Sequence, residues 1–325
     1  MGRKRTTGAH LPRRVYLHHG CYFFVDRAGK WHNLGRTLAD AYRALADHVE
    51  VNLAGRTMSA LFDRYMTEVI PTKAPRTQRD NGYELQPLRA ALGAMNPRHF
   101  KPKHGYAYFN ERKKKSLRRA VAELALLSHV FTKAVEWGVV DDNPCRQIRK
   151  ERPRPRRRYV TEAEYAAASK TMPAMLQCAM DLAVLTGLRP ADLLALTRSN
   201  LTDEGIQVST RKTGRDLVIA WSDELRRVVK RALSLPPKLR QPLICGRQGK
   251  PYTVDGFTSI WRRKIRKALA DPENSLQEPF QFRDLRAKSA SDDTAEAATA
   301  RLGHTNAAIT ERVYRRKPAT VRPLR

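Results

Sequence analysis

The segment RQIRKERPRPRRR at positions 146–158 constrains the fold of this chain more than any other feature. It carries eight Lys or Arg, one Glu and two prolines. Like charges repel one another and proline favours extended backbone, so the segment cannot bury a core of its own. A chain of 325 residues is long enough for two or three domains. We therefore expect separately folded regions on either side, joined by an extended basic linker at residues 150–158.

The region before the linker begins with a basic, polar arm, MGRKRTTGAH, which has nothing to bury. The next stretch, RVYLHHGCYFFVDRAGKWHNLG, is rich in Val, Tyr, Phe and Trp, and has turn signals at His19–Gly20 and at residues 27–29. This pattern predicts two or three short strands. Thr37 is the predicted N-cap of a helix that follows. Residues 1–56 are therefore predicted to form a small three-stranded sheet plus a helix.

Residues 57–149 show helical periodicity and are predicted to form an all-α domain. Their last helix has an apolar stripe made of Val121, Leu124, Leu127, Phe131 and Val135. Five cations crowd the expected start of that helix, namely Lys113, Lys114, Lys115, Arg118 and Arg119. Positive charge opposes the macrodipole at a helix N-terminus, so these side chains are expected to have another role.

The overall charge indicates the kind of partner. Lys and Arg number 62 against 32 Asp and Glu, a formal net charge of +30, which favours a polyanion such as nucleic acid. A basic membrane-surface protein is the other physical option. However, the sequence has no apolar run of about 18 residues and no signal-peptide core. The four cysteines are scattered without zinc spacing, so we expect reduced thiols and a cytoplasmic protein.

The stretch MLQCAMDLAVLTGLRPADLLAL predicts two helices with a tight turn between them. The first helix ends at Thr186, Gly187 suits the left-handed C-terminal conformation, and Pro190 suits the first position of the second helix. Arg189 then lies at a helix N-terminus, where anions bind. Alternatively, Arg189 forms only a surface ion pair with Asp192.

A second candidate lies in GIQVSTRKTGRDLVIAW, which alternates as two strands joined around Thr213–Gly214. The turn carries Lys212, which is either a solvated surface residue or a functional one. The third candidate is FRDLR, in which Arg283 and Arg286 lie three residues apart and would project from nearly one face of a helix. Two guanidiniums there could clamp a phosphate, or form an ordinary basic face.

Taken in order, TGLRPADLLAL, TRKTG, FRDLR, LGHTN and ITERVY resemble the R…K…RxxR…LGH…Y series of the tyrosine recombinase, or phage integrase, family. The resemblance implies a mostly α catalytic domain with a small β-sheet at residues 159–325. The N-terminal region is similar to the arm-binding domain of lambda-like integrases, and residues 57–149 match a core-binding domain in position and character. The predicted fold class is thus multidomain α+β with the tyrosine recombinase fold.

The resemblance assigns catalytic roles. Tyr314 would be the nucleophile, Arg189 and Arg286 would clamp the scissile phosphate, Lys212 would be the general acid and His304 a phosphate or proton-transfer partner. The implied reaction is a topoisomerase IB-like transesterification through a 3′-phosphotyrosine, which exchanges DNA strands without any cofactor or metal. Cations stabilise a phenolate and the charge on a phosphoryl transition state, which would explain the cations around Tyr314.

The sequence departs from the family pattern at two places. Arg283 stands where relatives commonly carry His, and Arg cannot shuttle protons. The interval between His304 and Tyr314 is one residue longer than in many relatives. Two alternatives stay open: a chromosome-dimer resolvase or transposon recombinase, and a catalytically inactive DNA-binding architectural protein.

The implied partners are double-stranded DNA attachment sites of core and arm type, bound by a homotetramer. A host DNA-bending protein and an excisionase are implied as further partners, and no membrane. We expect a protein associated with the nucleoid of a bacterial host, integrating and excising a mobile element. The candidate DNA-binding residues are Arg3, Lys4 and Arg5 in the arm and Lys113, Lys114 and Lys115 in the helical region.

Overall fold

A computed structural model of the chain describes residues 11–12, 14–26, 29–42, 44–45, 57–151, 153–318 and 323. The chain divides into two compact units, Met1–Arg154 and Pro155–Arg325. The division falls inside the basic segment that the sequence analysis identified as a linker. Among the helices in these residues, none is both long enough and apolar enough to cross a membrane.

The first unit begins with a three-stranded antiparallel sheet in the order β1, β2, β3. His19 and Gly20 both have positive φ, as a two-residue hairpin turn requires. Thr37 accepts a hydrogen bond from the Asp40 backbone, and residues 38–42 and 44–45 are helical. Leu34 and Ala41 belong to the small core under the sheet. The strands are β1 (Val15–His18), β2 (Cys21–Val25) and β3 (Trp31–Gly35).

The rest of the first unit is helical, with α1 (Met58–Glu68), α2 (Pro75–Leu92) and α3 (Pro102–Glu136). Thr57 caps α1 by accepting from the Ala60 backbone. Of the predicted apolar stripe, Leu124, Leu127 and Phe131 have no exposed surface, whereas Val135 is 38% exposed. The stripe therefore ends before the last turn of the helix.

Helix α3 begins at Pro102, well before the predicted start, and its backbone breaks at Ser116 (φ −165°, ψ 108°). Lys113, Lys114 and Lys115 therefore lie at the C-terminal end of the first segment. Cations there complement the macrodipole, so the argument that they oppose it was wrong. Arg118 and Arg119 alone follow the break.

The second unit packs helices around one large core that includes Trp261 and Phe257, with a two-stranded antiparallel sheet at its side. Strands β4 (Gly205–Ser209) and β5 (Asp216–Ala220) form the predicted hairpin, and Gly214 in its turn has φ +62°. The helices are α4 (Glu162–Thr171), α5 (Ala174–Thr186), α6 (Pro190–Leu193), α7 (Asp223–Ser234), α8 (Val254–Ala270), α9 (Asp284–Ser291), α10 (Ala295–Leu302) and α11 (Ala307–Ile309). A π-helical turn, Thr310–Tyr314, continues α11.

Candidate active site

Arg286 on α9 is the most deeply buried of the candidate residues, with 4% of its surface exposed. Its Nη1 donates to the carbonyl of Gly187, and its Nη2 donates to the carbonyl of Leu302 (3.0 Å) and contacts Nε2 of His304 (3.2 Å). Its Nε is buried and has no hydrogen-bond partner among the described residues. Arg286 is thus held rigidly and keeps donor capacity for an anion.

The carbonyl that holds Arg286 comes from the turn after α5, where the sequence predicted a helix end. Gly187 has φ +61°, and a Cβ there would lie 2.9 Å from Leu302, so the position requires glycine. Pro190 begins α6 and Arg189 is its N-cap residue, as predicted. Because α6 has only four residues, its dipole is small and the guanidinium supplies most of the positive charge.

Arg189 is only weakly engaged by Asp192, the partner that the alternative interpretation gave it. Nη1 of Arg189 lies 4.0 Å from Oδ2 of Asp192. The other oxygen, Oδ1, accepts from the backbone of Arg211 (3.1 Å). Through these two contacts, the buried carboxylate of Asp192 links the β4–β5 turn to the turn that carries Arg189. Lys212, the next residue on that turn, is exposed.

His304 is placed by the end of α10. Gly303 has φ +64°, its N–H donates to Ala300, and the His304 N–H donates to Thr299, which together form a Schellman-type C-terminus. The imidazole Nδ1 of His304 lies 2.8 Å from Oγ1 of Thr310. The LGH motif thus directs the ring toward Arg286 on one side and Thr310 on the other.

The charges around His304 and Arg286 perturb both groups. Burial, together with the guanidiniums of Arg286 and Arg189, lowers the pKa of His304 to about 4. Burial also lowers the pKa of Arg286, with Arg189 acting in the same direction and the Tyr314 hydroxyl opposing it. Arg189 is therefore close enough to act electrostatically on both groups, and the imidazole is neutral at physiological pH.

Tyr314 lies against both residues. Its ring centroid is 5.0 Å from that of His304 and 5.0 Å from Cζ of Arg286. The ring also packs against Ala290, Ala298 and Leu302, so it has a structural contact as well.

A wide helical turn delivers Tyr314 to this place. The N–H of Arg315 donates to the carbonyl of Thr310 (3.0 Å), a spacing of five residues. A π-turn accommodates one residue more than an α-turn does. It thus accounts for the long interval between His304 and Tyr314. Ser291 fixes the turn from α9, since its Oγ donates to the Tyr314 carbonyl (3.1 Å) and accepts from the Arg316 N–H (2.8 Å).

Most cations next to Tyr314 in the sequence are committed elsewhere. Arg301 donates to Asp293 (2.7 Å) and to the Ser289 carbonyl. Arg315 lies 3.4 Å from Glu311. Arg316 binds the buried carboxylate of Asp284 (3.0 Å). These three arginines are therefore engaged in ion pairs with carboxylates. The expectation that the cations around Tyr314 serve a phosphate reaction stays a prediction.

The remaining predicted site residues are Arg283, three lysines of the first unit and three residues of the N-terminal arm. Arg283 precedes α9 as its N-cap residue and is exposed, so it does not share the buried position of Arg286. Lys113 is paired with Glu151, Lys114 lies 2.6 Å from Glu111, and Lys115 is exposed. Arg3, Lys4 and Arg5 lie outside the described residues.

The sequence analysis overlooked three residues that organise the site, namely Thr310, Ser291 and Asp192. The sequence did show Asp192 three residues after Arg189, but it indicated only a surface ion pair.

In the described part of the chain, no cluster of three or more His, Cys, Asp or Glu could hold a metal ion. The site instead offers guanidinium donors and a phenol, which suit attack on a phosphate diester.

Comparison with known proteins gives a family match, two related sequences and one similar solved structure. The Phage integrase family profile matches residues 158–320. The integrase of Escherichia phage HK022 is 30% identical over 247 residues, covering 67% of this chain and 68% of that protein. The integrase of Escherichia phage lambda is 26% identical over 322 residues, covering 89% and 88%. A structure of a lambda integrase dimer bound to a COC′ core site matches with TM-score 0.71 and 22% identity over 99% of both chains. The predicted fold class is thereby confirmed.

Proposed function

Because the chain belongs to the phage integrase family and is a site-specific DNA integrase, we propose that Tyr314 is its nucleophile. In this proposal the tyrosine forms a covalent 3′-phosphotyrosine with the cleaved strand. The observation that carries it is the position of the Tyr314 ring, 5.0 Å from both the His304 ring and Cζ of Arg286. A phenol beside a buried, partly uncommitted guanidinium is placed for attack on a phosphate that the guanidinium binds.

The cleavage step exchanges one phosphate ester for another. Oη of Tyr314 attacks the scissile phosphorus and gives up its proton to solvent water, while the bond from phosphorus to the 5′-oxygen breaks. The 5′-oxygen leaves as a hydroxyl. Since bond energy is conserved in the phosphotyrosine, a 5′-hydroxyl from a second strand can reverse the step and exchange strands. This is the chemistry of a type IB topoisomerase.

Arg286 and Arg189 stabilise the transition state in this mechanism. Charge accumulates on the nonbridging phosphate oxygens during attack, and guanidiniums already in place stabilise it without reorganisation. Arg286 is suited to this role because Gly187, Leu302 and His304 fix its orientation before DNA arrives. The neutral imidazole of His304 accepts a hydrogen bond from Arg286 and so helps to orient the guanidinium.

Lys212 is the proposed acid that protonates the leaving 5′-oxygen. Its turn is tied to the Arg189 turn through the hydrogen bond from Arg211 to Asp192 (3.1 Å), while the ammonium itself is exposed. A lysine on such a turn can reach a bound strand and can recover its proton during rejoining. The exposed Arg283 would add a phosphate contact beside the site.

We assign the regions as predicted: residues 1–56 bind arm-type DNA sites, 57–149 bind core sites, 150–158 link the two units and 159–325 carry catalysis. Solved structures of lambda integrase contain a dimer on a core site and a tetramer on a Holliday junction. By analogy, four copies of this chain would act on two duplexes. A host DNA-bending protein, an excisionase and a nucleoid location belong to the same proposal.

The experiment is cleavage of a nicked attachment-site substrate that traps the covalent product. The wild-type chain should form a protein–DNA adduct stable to denaturation, and Tyr314→Phe should form none. Tyr159→Phe is the control, because the Tyr159 hydroxyl already donates to Asp292 (2.5 Å). An adduct with the Tyr314→Phe protein would show that another residue is the nucleophile. DNA binding without any wild-type adduct would favour the architectural protein instead.

A further inference from the structure

Thr310 has no exposed surface, yet its side chain is polar. Its Oγ1 lies 2.8 Å from Nδ1 of His304 and 3.0 Å from Oγ1 of Thr299. Thr299 in turn lies 2.7 Å from the carbonyl of Ala295 in its own helix. Burying a hydroxyl costs free energy unless it is hydrogen-bonded, and valine would fill the same space. The hydroxyl of Thr310 is therefore explained by these contacts.

The contact between Arg286 and Nε2 of His304 determines which ring nitrogen carries the proton. Arg286 can only donate, and its Nη2 lies 3.2 Å from Nε2 of His304. Nε2 must therefore be the acceptor, which places the proton of a neutral imidazole on Nδ1. The Thr299 hydroxyl has a single proton, and the Ala295 carbonyl accepts it. Thr310 therefore donates its own proton to Thr299 and accepts from Nδ1–H. The whole chain of contacts is consistent with one tautomer.

The charged surroundings favour the same neutral form. Arg286 and Arg189 act on the imidazole from α9 and from the α6 turn, and the Tyr314 ring covers it from the π-turn. A protonated imidazole would be a third cation with its Nε2–H facing the donors of Arg286. Thr310 supplies the acceptor that makes the uncharged Nδ1–H tautomer the favoured one.

We propose that Thr310 is a positioning residue that holds His304 in the Nδ1–H tautomer, so that Nε2 orients Arg286 for the scissile phosphate. The catalytic part of this inference rests on the proposed function. The tautomer itself does not, and it can be measured in the free protein. Thr310 is also the first residue of the π-turn that leads to Tyr314. The same residue therefore contacts His304 and begins the turn that carries Tyr314.

The first test is nitrogen NMR of protein labelled at its nine histidines, with His304 assigned by the loss of its signals in His304→Gln. The wild-type ring should show protonated Nδ1 and unprotonated Nε2 at pH 7. In Thr310→Val the Nδ1–H loses its acceptor, so the tautomers should mix or invert. A wild-type Nε2–H tautomer, or the same tautomer in Thr310→Val, would overturn the proposal.

The second test is the rate of covalent adduct formation. Thr310→Val should slow it about tenfold, and Thr310→Ser, which restores the hydroxyl, should recover most of the rate. Thr305→Val is the control, since Thr305 also follows His304 closely but is exposed. Equal losses in the Val and Ser variants would show that packing, and not the hydroxyl, matters. If Tyr314 proves not to be the nucleophile while the NMR result holds, the proposed function fails and the tautomer assignment stands.

Discussion

Nη1 of Arg316 lies 3.0 Å from Oδ1 of Asp284, a carboxylate with no exposed surface. Arg156 binds the other oxygen at 3.0 Å, and the Gln281 backbone donates to it at 2.9 Å. Asp284 begins the helix that carries Arg286, whereas Arg316 follows Tyr314 by two residues. The helix of Arg286 and the segment after Tyr314 are thus attached to one buried carboxylate.

We predict that Asp284→Asn destabilises the second unit by about 2–4 kcal/mol, because two partly buried guanidiniums lose the counter-charge that they share. Adduct formation should slow as well, since the segment after Tyr314 loses its anchor. Thermal melting and the trapped-adduct assay measure the two effects. The control is Glu311→Gln, which removes the exposed pair with Arg315 (3.4 Å) and should cost less than about 1 kcal/mol. Similar losses in both variants would refute the anchoring role.

Arg286→Lys should reduce the cleavage rate by about 10²–10³-fold while DNA affinity changes little. Lysine keeps the charge but cannot hold the Gly187 and Leu302 carbonyls and His304 at once while contacting a phosphate. Single-turnover cleavage at saturating protein is the measurement. Arg301→Lys serves as the control, because Arg301 is committed to Asp293 (2.7 Å) and should lose less than tenfold. A mild effect of Arg286→Lys would exclude a guanidinium-specific role.

His304 makes stability depend on pH in a defined window. Its pKa is about 4 in the folded chain and near 6.5 when unfolded. The unfolded chain therefore binds more protons between these values. The contribution of the neutral His304 ring to the free energy of unfolding is fully present above pH 6.5 and is lost as the pH falls toward 4. The loss is at most about 3 kcal/mol and is reduced by solvent at the partly exposed ring.

The measurement is the change in unfolding free energy between pH 7.5 and pH 5, compared for the wild-type chain and His304→Gln. The variant lacks the titrating ring, so it should lose less stability over this interval. Carboxylates titrate in both proteins and cancel in the comparison. Identical pH dependence would mean that the ring is not held neutral by its surroundings.

DNA affinity should fall steeply with salt, because a chain of net charge +30 displaces counterions from the phosphates that it contacts. Lys115→Ala should reduce the slope of log K against log salt by about 0.9, the value for one phosphate contact. Lys114→Ala should change the slope less, since Glu111 already lies 2.6 Å from that ammonium. An unchanged slope in Lys115→Ala would remove Lys115 from the DNA interface.

Local features of the site were predictable because they depend on neighbours in the chain. The left-handed Gly187, the position of Pro190 at the start of α6 and the hairpin around Thr213–Gly214 all follow from residue type and spacing. The break at Ser116 was not predictable, because a serine within a strongly helical pattern carries no local signal for it. Its position reversed the argument about Lys113, Lys114 and Lys115.

The sequence by itself determined the family, the order of the candidate residues and the division of the chain near the basic linker, since these depend on composition, periodicity and motif spacing. Tertiary structure alone decided which cations are free to act. Arg286 meets the Gly187 carbonyl 99 residues away, and Arg316 meets Asp284 across 32. Such partners are chosen by packing, because a buried guanidinium must find acceptors wherever the fold brings them. The same packing buried Thr310 beside His304 and brought Tyr314 over Arg286.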